Sequence, residues 1–119
     1  MGTEPECRHL VGEYLRNALA YARTHQRRDF MAGNEFADRM WSLAKQLRHD
    51  FGAEGREALA ELMDHEDLVV RISTASICLD FAEQKAKAVL EEASKTAGLS
   101  AFEAGVALNE WNEGAKRFP

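Results

Sequence analysis

The side chains best suited to chemistry in this chain are four histidines and two cysteines. A metal site or an acid–base pair needs such groups to converge, as two histidines do when they lie four residues apart on a helix. No two histidines here have that spacing, and Cys7 and Cys78 lie far apart in the sequence. These residues therefore predict no metal site, no cofactor and no catalytic centre.

The densest group of ionisable side chains is Asp64-His65-Glu66-Asp67. Four adjacent residues cannot all face one ion, and aspartate is among the residues most favoured at a helix N-cap. An apolar helical pattern begins directly after Asp67. We therefore interpret Asp67 as a structural cap and expect Arg71, one turn later, to bond nearby acidic or carbonyl groups.

Known catalytic motifs offer no other candidate. The chain has no glycine-rich phosphate loop and no G-x-S-x-G nucleophile motif. Its neighbouring carboxylates, such as Glu91 and Glu92, have the pattern of an exposed helix face, because charged side chains are rarely buried without a partner. We expect the protein not to be an enzyme.

Charge is distributed unevenly over the 119 residues, whose formal net charge is −5. Residues 1–50 hold eight Lys/Arg against seven Asp/Glu, whereas residues 51–119 hold seven against thirteen. An acidic half disfavours the phosphate backbone of nucleic acids and favours basic partners, although solubility alone would also account for it. No stretch resembles a signal peptide or a membrane span, so we expect a cytoplasmic protein with reduced thiols and no membrane partner.

The elements that position these residues are helices. Apolar residues recur with the helical period, no window alternates as a strand does, and the two prolines, Pro5 and Pro119, lie near the chain ends. Ser100 and Glu103 have the spacing of a capping box, which predicts that the last helix starts there. We predict one all-α domain over residues 1–119, with about six helices at 5–24, 29–50, 54–64, 68–82, 83–96 and 100–114, and a frayed tail at 115–119.

The fourth predicted helix carries apolar residues on two opposite faces. One stripe consists of Leu68, Ile72, Ala75, Leu79 and Ala82. The other consists of Val70, Ile77 and Phe81. Because a helix with two apolar stripes has to pack on both sides, we expect this one to be the middle layer of a stack.

The stretch LMDHEDLVVRISTASICL, residues 62–79, resembles a HEAT-type helical repeat. In that pattern an Asp-x-x-Val-Arg sequence opens the second helix of the pair, and here Asp67, Val70 and Arg71 occupy those positions. Leu68 replaces the proline that usually follows the aspartate. A degenerate second repeat follows, in which Ser100 stands where the arginine would be.

The whole chain also resembles a bacterial family of small proteins whose domain has no assigned function. The resemblance implies a HEAT/armadillo-like α-α superhelix. A helical hairpin over residues 5–50 would precede a first HEAT-like repeat over 54–82 and a degenerate one over 83–114. The resemblance implies no catalytic residues.

The function that these observations favour is non-catalytic protein binding, as in an adaptor or an immunity protein that neutralises a basic toxin. Tryptophan is enriched at interface hot spots, and Trp111 is flanked by Glu110 and Glu113. With Asp80, these are the candidate partner-binding residues. Core packing is the alternative role for Trp111.

Two other classes of function stay open. Nucleic-acid backbone binding would rest on one patch of arginines, formed by Arg16, Arg23, Arg27, Arg28 and Arg39. Small-molecule binding would need a pocket that the sequence does not disclose. Self-association is also open, because a short stack of repeats leaves its terminal faces uncovered unless something caps them.

Overall fold

The computed structural model describes residues 4–114, and within them all regular structure is helical. These residues form five α-helices and one 3₁₀ turn, and the chain divides into two compact units between Glu61 and Leu62. An all-α fold is therefore confirmed. The tail predicted at 115–119 lies outside the described residues. None of the helices within residues 4–114 combines the length and apolar character that a bilayer span requires.

The N-terminal unit is an antiparallel pair of long helices, α1 (Glu4–Arg27) and α2 (Phe30–Glu61). The turn between them uses Arg28 at a positive φ of 57°, and the Asp29 carboxylate accepts a hydrogen bond from the Ala32 amide at 3.3 Å. Small residues then bring the helices close, since a Cβ on Gly33 would lie 3.0 Å from the Thr24 hydroxyl oxygen. The buried core of this unit includes Tyr14, Ala18, Met40, Ala44, Leu47 and Leu59.

Helix α2 changes direction at Gly52, whose φ of 56° and ψ of −126° are not helical. This backbone conformation strongly favours glycine. Three residues later, a Cβ on Gly55 would overlap the Leu47 carbonyl oxygen, so the chain after the bend packs directly on the backbone before it. The sequence predicted a helix boundary at 51–55, and the non-helical Gly52 lies in that segment and divides α2 into two arms.

The C-terminal unit contains a 3₁₀ turn (Leu62–Asp64), α3 (Leu68–Cys78), α4 (Glu83–Ser94) and α5 (Leu99–Asn112). Helix α3 contacts the 3₁₀ turn, α4 and α5. Its buried residues come from both predicted apolar stripes, with Val70 and Ile77 on one side and Ile72 and Ala75 on the other. The prediction that this helix packs on both faces is confirmed within the unit.

Helix boundaries differ from the prediction in two places. Five helices replace the expected six, because the predicted second and third helices are the two arms of α2. Helix α3 ends at Cys78 rather than Ala82, since the Phe81 and Ala82 amides both donate to the Cys78 carbonyl and Ala82 leaves the helical region. Residues 79–82 therefore form a turn between α3 and α4 and are not part of either helix.

The burial of two side chains of α1 could not be read from the sequence alone. His25 lies in a polar segment but is only 9% exposed, because α1 continues to Arg27; its ring lies 5.9 Å from that of Tyr21. Cys7, whose exposure the sequence leaves open, is 3% exposed. Cys78 of α3 is buried as well.

Candidate functional site

The candidate site is the outward side of α5, and the residues before the helix determine how it begins. Gly98 is the N-cap, with a positive φ of 95° that favours glycine. The predicted capping box is therefore wrong, because Ser100 is the second residue inside the helix, where a side chain no longer caps. Glu103 is half-buried in the next turn.

The inward side of α5 is built from small residues. Ala101, Ala104 and Ala107 are buried together with Leu108, and the helix packs on α4 and α3. Alanine side chains permit a close approach between helices because they add little bulk. These four buried residues identify the side of α5 that faces the core.

The outward side of α5 combines apolar and acidic side chains. Phe102 is 69% exposed and Val106 is 36% exposed, four residues apart on the same side. At 100° per residue, Glu113 lies within about 20° of this pair and Glu110 within about 40° of Val106. Both glutamates are exposed, and no Lys or Arg occurs between Leu99 and Gly114. We call the set Phe102, Val106, Glu110 and Glu113 the α5 face.

Trp111 points to the opposite side of the helix, about 180° from Phe102 by helical spacing. It is half-buried, and its indole Nε1–H donates to the Glu83 carboxylate of α4 at 2.7 Å. This hydrogen bond, and next the positive charge of Lys87, lower the pKa of Glu83 below its ordinary value. Trp111 therefore joins α5 to α4, and it is not part of the α5 face.

The other predicted residues occupy separate places. Asp80 is exposed in the turn between α3 and α4, on a different element from Glu110 and Glu113. Asp67 is the N-cap of α3, where its Oδ1 accepts from the Val70 amide at 3.1 Å. Arg71 donates through Nη1 to the carbonyls of the two residues before Asp67, at 2.9 Å each. The acidic segment before α3 is thus held by backbone contacts.

The charge of the C-terminal unit matches the acidity of the α5 face. Residues 62–119 contain six Lys/Arg against ten Asp/Glu, and four of the six lie in the described part, residues 62–114. Of the basic residues, Lys85 pairs with Asp64 at 2.7 Å, and Lys87 pairs at 3.5 Å with Glu83, the carboxylate that also accepts from Trp111. Among the described residues, the α5 face thus carries two carboxylates and no cation.

The N-terminal arginines lie mainly on one helix. Arg16, Arg23 and Arg27 share one side of α1 by helical spacing and are all exposed. Arg28 lies in the turn after them. Arg39, on α2, stacks over the ring of Phe36 at 5.5 Å. The predicted patch is a stripe on α1 plus the turn.

Among residues 4–114, each unit has a groove on its surface. One of about 630 Å³ in the N-terminal unit is lined by residues that include His9, Asp50 and Phe51. One of about 330 Å³ in the C-terminal unit is lined by Arg71, Glu92 and their neighbours. In the described part of the chain no three His, Cys, Asp or Glu side chains are grouped as around a metal ion.

Sequence reasoning missed Phe102 and Val106 as surface residues, because it counted every apolar position of the last helix together. The available signal was their spacing, which sets them opposite Ala104 and Leu108.

Comparison with known proteins gives one informative likeness. The crystal structure of the protein RPA1889 from Rhodopseudomonas palustris CGA009 matches with a TM-score of 0.83 over 95% of this chain and 93% of that one. The two sequences are 21% identical, so the likeness concerns the fold alone. No protein-family model matches the chain, and no curated protein matches it.

Proposed function

We propose that the protein is a non-catalytic protein-binding module of the HEAT-like type, and that the α5 face binds a basic surface of its partner. The observation that carries the proposal is Phe102, an aromatic side chain 69% exposed on the outward side of the last helix. Exposed apolar side chains rimmed by charge mark interaction sites, and terminal repeats otherwise present polar outer faces.

The partner's charge follows from the surroundings of Phe102. Glu110 and Glu113 stand beside the apolar pair, and α5 carries no positive charge to balance them. A basic partner would be steered to this face, whereas an acidic one would be repelled. An adaptor, or an immunity protein that neutralises a basic toxin, has this requirement.

The HEAT-like part of the proposal is supported by the segment before α3. Asp67 and Arg71 together tie the start of the helix to the turn that precedes it. Helix α3 also packs on both sides, as the inner helix of a stacked pair does. Repeats of this kind commonly present their outer faces to partners.

Site-specific photo-crosslinking in living cells tests the proposal. A photoreactive amino acid replaces Val106, and the same residue at Gln84, exposed on α4, is the matched control. We expect a defined adduct with a basic protein from position 106, none from position 84, and loss of the adduct when Glu110→Lys and Glu113→Lys are added. The purified partner should then bind less tightly as salt increases.

Two results would contradict the proposal. One is the absence of any adduct from position 106. The other is an adduct that survives both charge reversals, since the acidic surroundings would then contribute nothing to binding.

Nucleic-acid binding is the second candidate, favoured by the shared side of Arg16, Arg23 and Arg27 on α1. Mixed-sequence duplex DNA at low salt is the probe. Retardation that disappears with added salt and with Arg23→Glu/Arg27→Glu would support this reading. No retardation at low salt would remove it.

A further inference from the structure

The groove of the C-terminal unit is lined by two opposite charges that do not pair with each other. Arg71 contributes one of them from α3, and Glu92 contributes the other from α4. Neither side chain has an ion-pair partner among residues 4–114. A groove of this kind can take a ligand that carries both charges.

The guanidinium of Arg71 is held in a fixed orientation. Its Nη1 donates to the carbonyls of His65 and Glu66, at 2.9 Å each. Within residues 4–114, its Nε and Nη2 have no acceptor. These two nitrogens lie on one edge of the guanidinium, and such an edge fits the two oxygens of a carboxylate. Arg71 therefore brings an unused carboxylate-binding edge to the groove.

The carboxylate of Glu92 supplies the opposite charge. It is exposed, and Lys95, the closest basic residue in the sequence, does not pair with it. The other carboxylate that lines the groove, Asp64, already pairs with Lys85 at 2.7 Å. An ammonium group can therefore bind Glu92 without displacing a partner found in the described residues.

Apolar side chains lie beside the two charges. Leu68 and Val89 line the groove and are half-buried, so part of their surface is still accessible. Met63 and Ala93 line it as well and are buried. The volume of about 330 Å³ is at the small end of the range of ligand pockets. The groove therefore suits a small ligand with an apolar group, whose burial would favour binding.

We propose that this groove binds a small zwitterion with an apolar side chain, of the kind of a free apolar amino acid. Its carboxylate pairs with Arg71 and its ammonium group with Glu92, while its side chain contacts Leu68 and Val89. An anion without an ammonium group would be repelled by Glu92, and a cation without a carboxylate would be repelled by Arg71.

The site is separate from the α5 face. Its lining residues come from the 3₁₀ turn, α3, α4 and Thr96 directly after α4. Ligand binding here and protein binding at the α5 face can therefore be tested independently, and the failure of one leaves the other standing.

An NMR titration of the isotope-labelled full chain with L-leucine tests the proposal. N-acetyl-L-leucine lacks the ammonium group, and isopentylamine lacks the carboxylate, so these two compounds are the matched ligands. We expect L-leucine to cause saturable shifts of the amide signals around the groove. Each matched ligand should bind more weakly than L-leucine.

Two adjacent glutamates provide the matched variants. Glu92→Gln should weaken the binding of L-leucine by about twofold to fivefold, as expected for an exposed ion pair. It should also reduce the preference for L-leucine over N-acetyl-L-leucine, which a merely structural role would not change. Glu91→Gln removes the same charge from an exposed position that does not line the groove, and it should leave both quantities unchanged.

Arg71→Lys tests the other charge. This variant keeps the charge but loses the bidentate edge, and it should weaken binding by about tenfold. Because Arg71 also holds the start of α3, circular dichroism has to verify that the variant folds. The two glutamate variants test the proposal even if Arg71→Lys does not fold, since the Glu92 carboxylate makes no contact that folding needs.

Three results would overturn the proposal. The first is a titration with L-leucine that never saturates or that shifts signals away from the groove. The second is equal binding of L-leucine and N-acetyl-L-leucine to the wild type. The third is an equal effect of Glu92→Gln and Glu91→Gln on the binding of L-leucine.

Discussion

At the scale of single residues, the side chain of Asp67 stabilises the fold by capping α3. Replacing it with alanine removes the acceptor for the Val70 amide. We expect Asp67→Ala to lower the free energy of unfolding by about 0.5–2 kcal/mol, the usual range for a lost N-cap. Urea denaturation measures the change.

The neighbouring acid provides the control. Glu66→Ala removes an equal charge from an exposed side chain and should change the free energy of unfolding by less than about 0.5 kcal/mol. Asp67→Asn keeps a capping oxygen and should retain most of the stability. Equal losses in Asp67→Ala and Glu66→Ala would show that charge, and not capping, is what matters.

Glu83 gives the protein a pH-dependent contact. Its pKa is lowered in the folded state, chiefly by the hydrogen bond from Trp111. A lowered folded pKa adds stability above the ordinary value of 4.5, and this stability is lost as the pH falls through the lower folded value. Trp111→Phe should therefore raise the pKa of Glu83, which an NMR titration of its carboxyl carbon measures. An unchanged pKa would mean that Lys87 dominates.

At the scale of the element, the bend in α2 depends on two glycines. Alanine at Gly52 would be held at a positive φ, which costs about 1–3 kcal/mol. Alanine at Gly55 would overlap the Leu47 carbonyl oxygen. Gly12→Ala is the matched control, because its Cβ would meet only the Arg16 guanidinium at 3.7 Å.

We expect both bend variants to be destabilised, while Gly12→Ala is neutral or gains up to about 1 kcal/mol from the better helix propensity of alanine. Urea denaturation of the three variants provides the comparison. A Gly52→Ala protein as stable as the wild type would mean that α2 tolerates a straight path at this point.

One side of α5 packs against the core, and we propose that the other side binds a partner. Side-chain truncations on the two sides should therefore have different effects. Leu108 is 9% exposed, so Leu108→Ala should cost about 2–5 kcal/mol through lost packing. Phe102→Ser, on the outward side, should change stability by less than about 0.5 kcal/mol while weakening binding at the α5 face. Thermal unfolding and the cross-linking yield provide the two readouts.

The features that the sequence predicted correctly depend on residues close to one another in the chain. The period of the apolar residues identified the helices, and Asp67 before an apolar run marked the start of α3. The errors came from features that pattern alone cannot resolve. Ser100 had cap spacing, but a glycine two residues earlier takes the cap. Phe102 looked like a core residue, because only packing shows which apolar side of α5 the neighbouring helices cover.

At the scale of the whole molecule, each compact unit contains one tryptophan: Trp41 in α2 and Trp111 in α5. Each unit is about 60 residues long, a size at which an isolated domain is only marginally stable. From the predicted single domain we expect the two to unfold together. In Trp41→Phe, the fluorescence of Trp111 reports the C-terminal unit. In Trp111→Phe, the fluorescence of Trp41 reports the N-terminal unit.

Coincident urea midpoints, after correction for the stability of each variant, would support one cooperative domain. Two separated transitions would show that the units unfold independently, and the single-domain prediction would then be wrong.

The placement of the two cysteines has a consequence for measuring motion. Cys7 and Cys78 are 3% and 0% exposed, one in each unit, so a thiol reagent can react with either only when its surroundings open. The labelling rate of each thiol therefore reports a local opening equilibrium in the native protein, without denaturant. We expect Cys7, near the start of α1, to be labelled faster than Cys78, because helix ends open more readily than a helix packed on both sides, as α3 is.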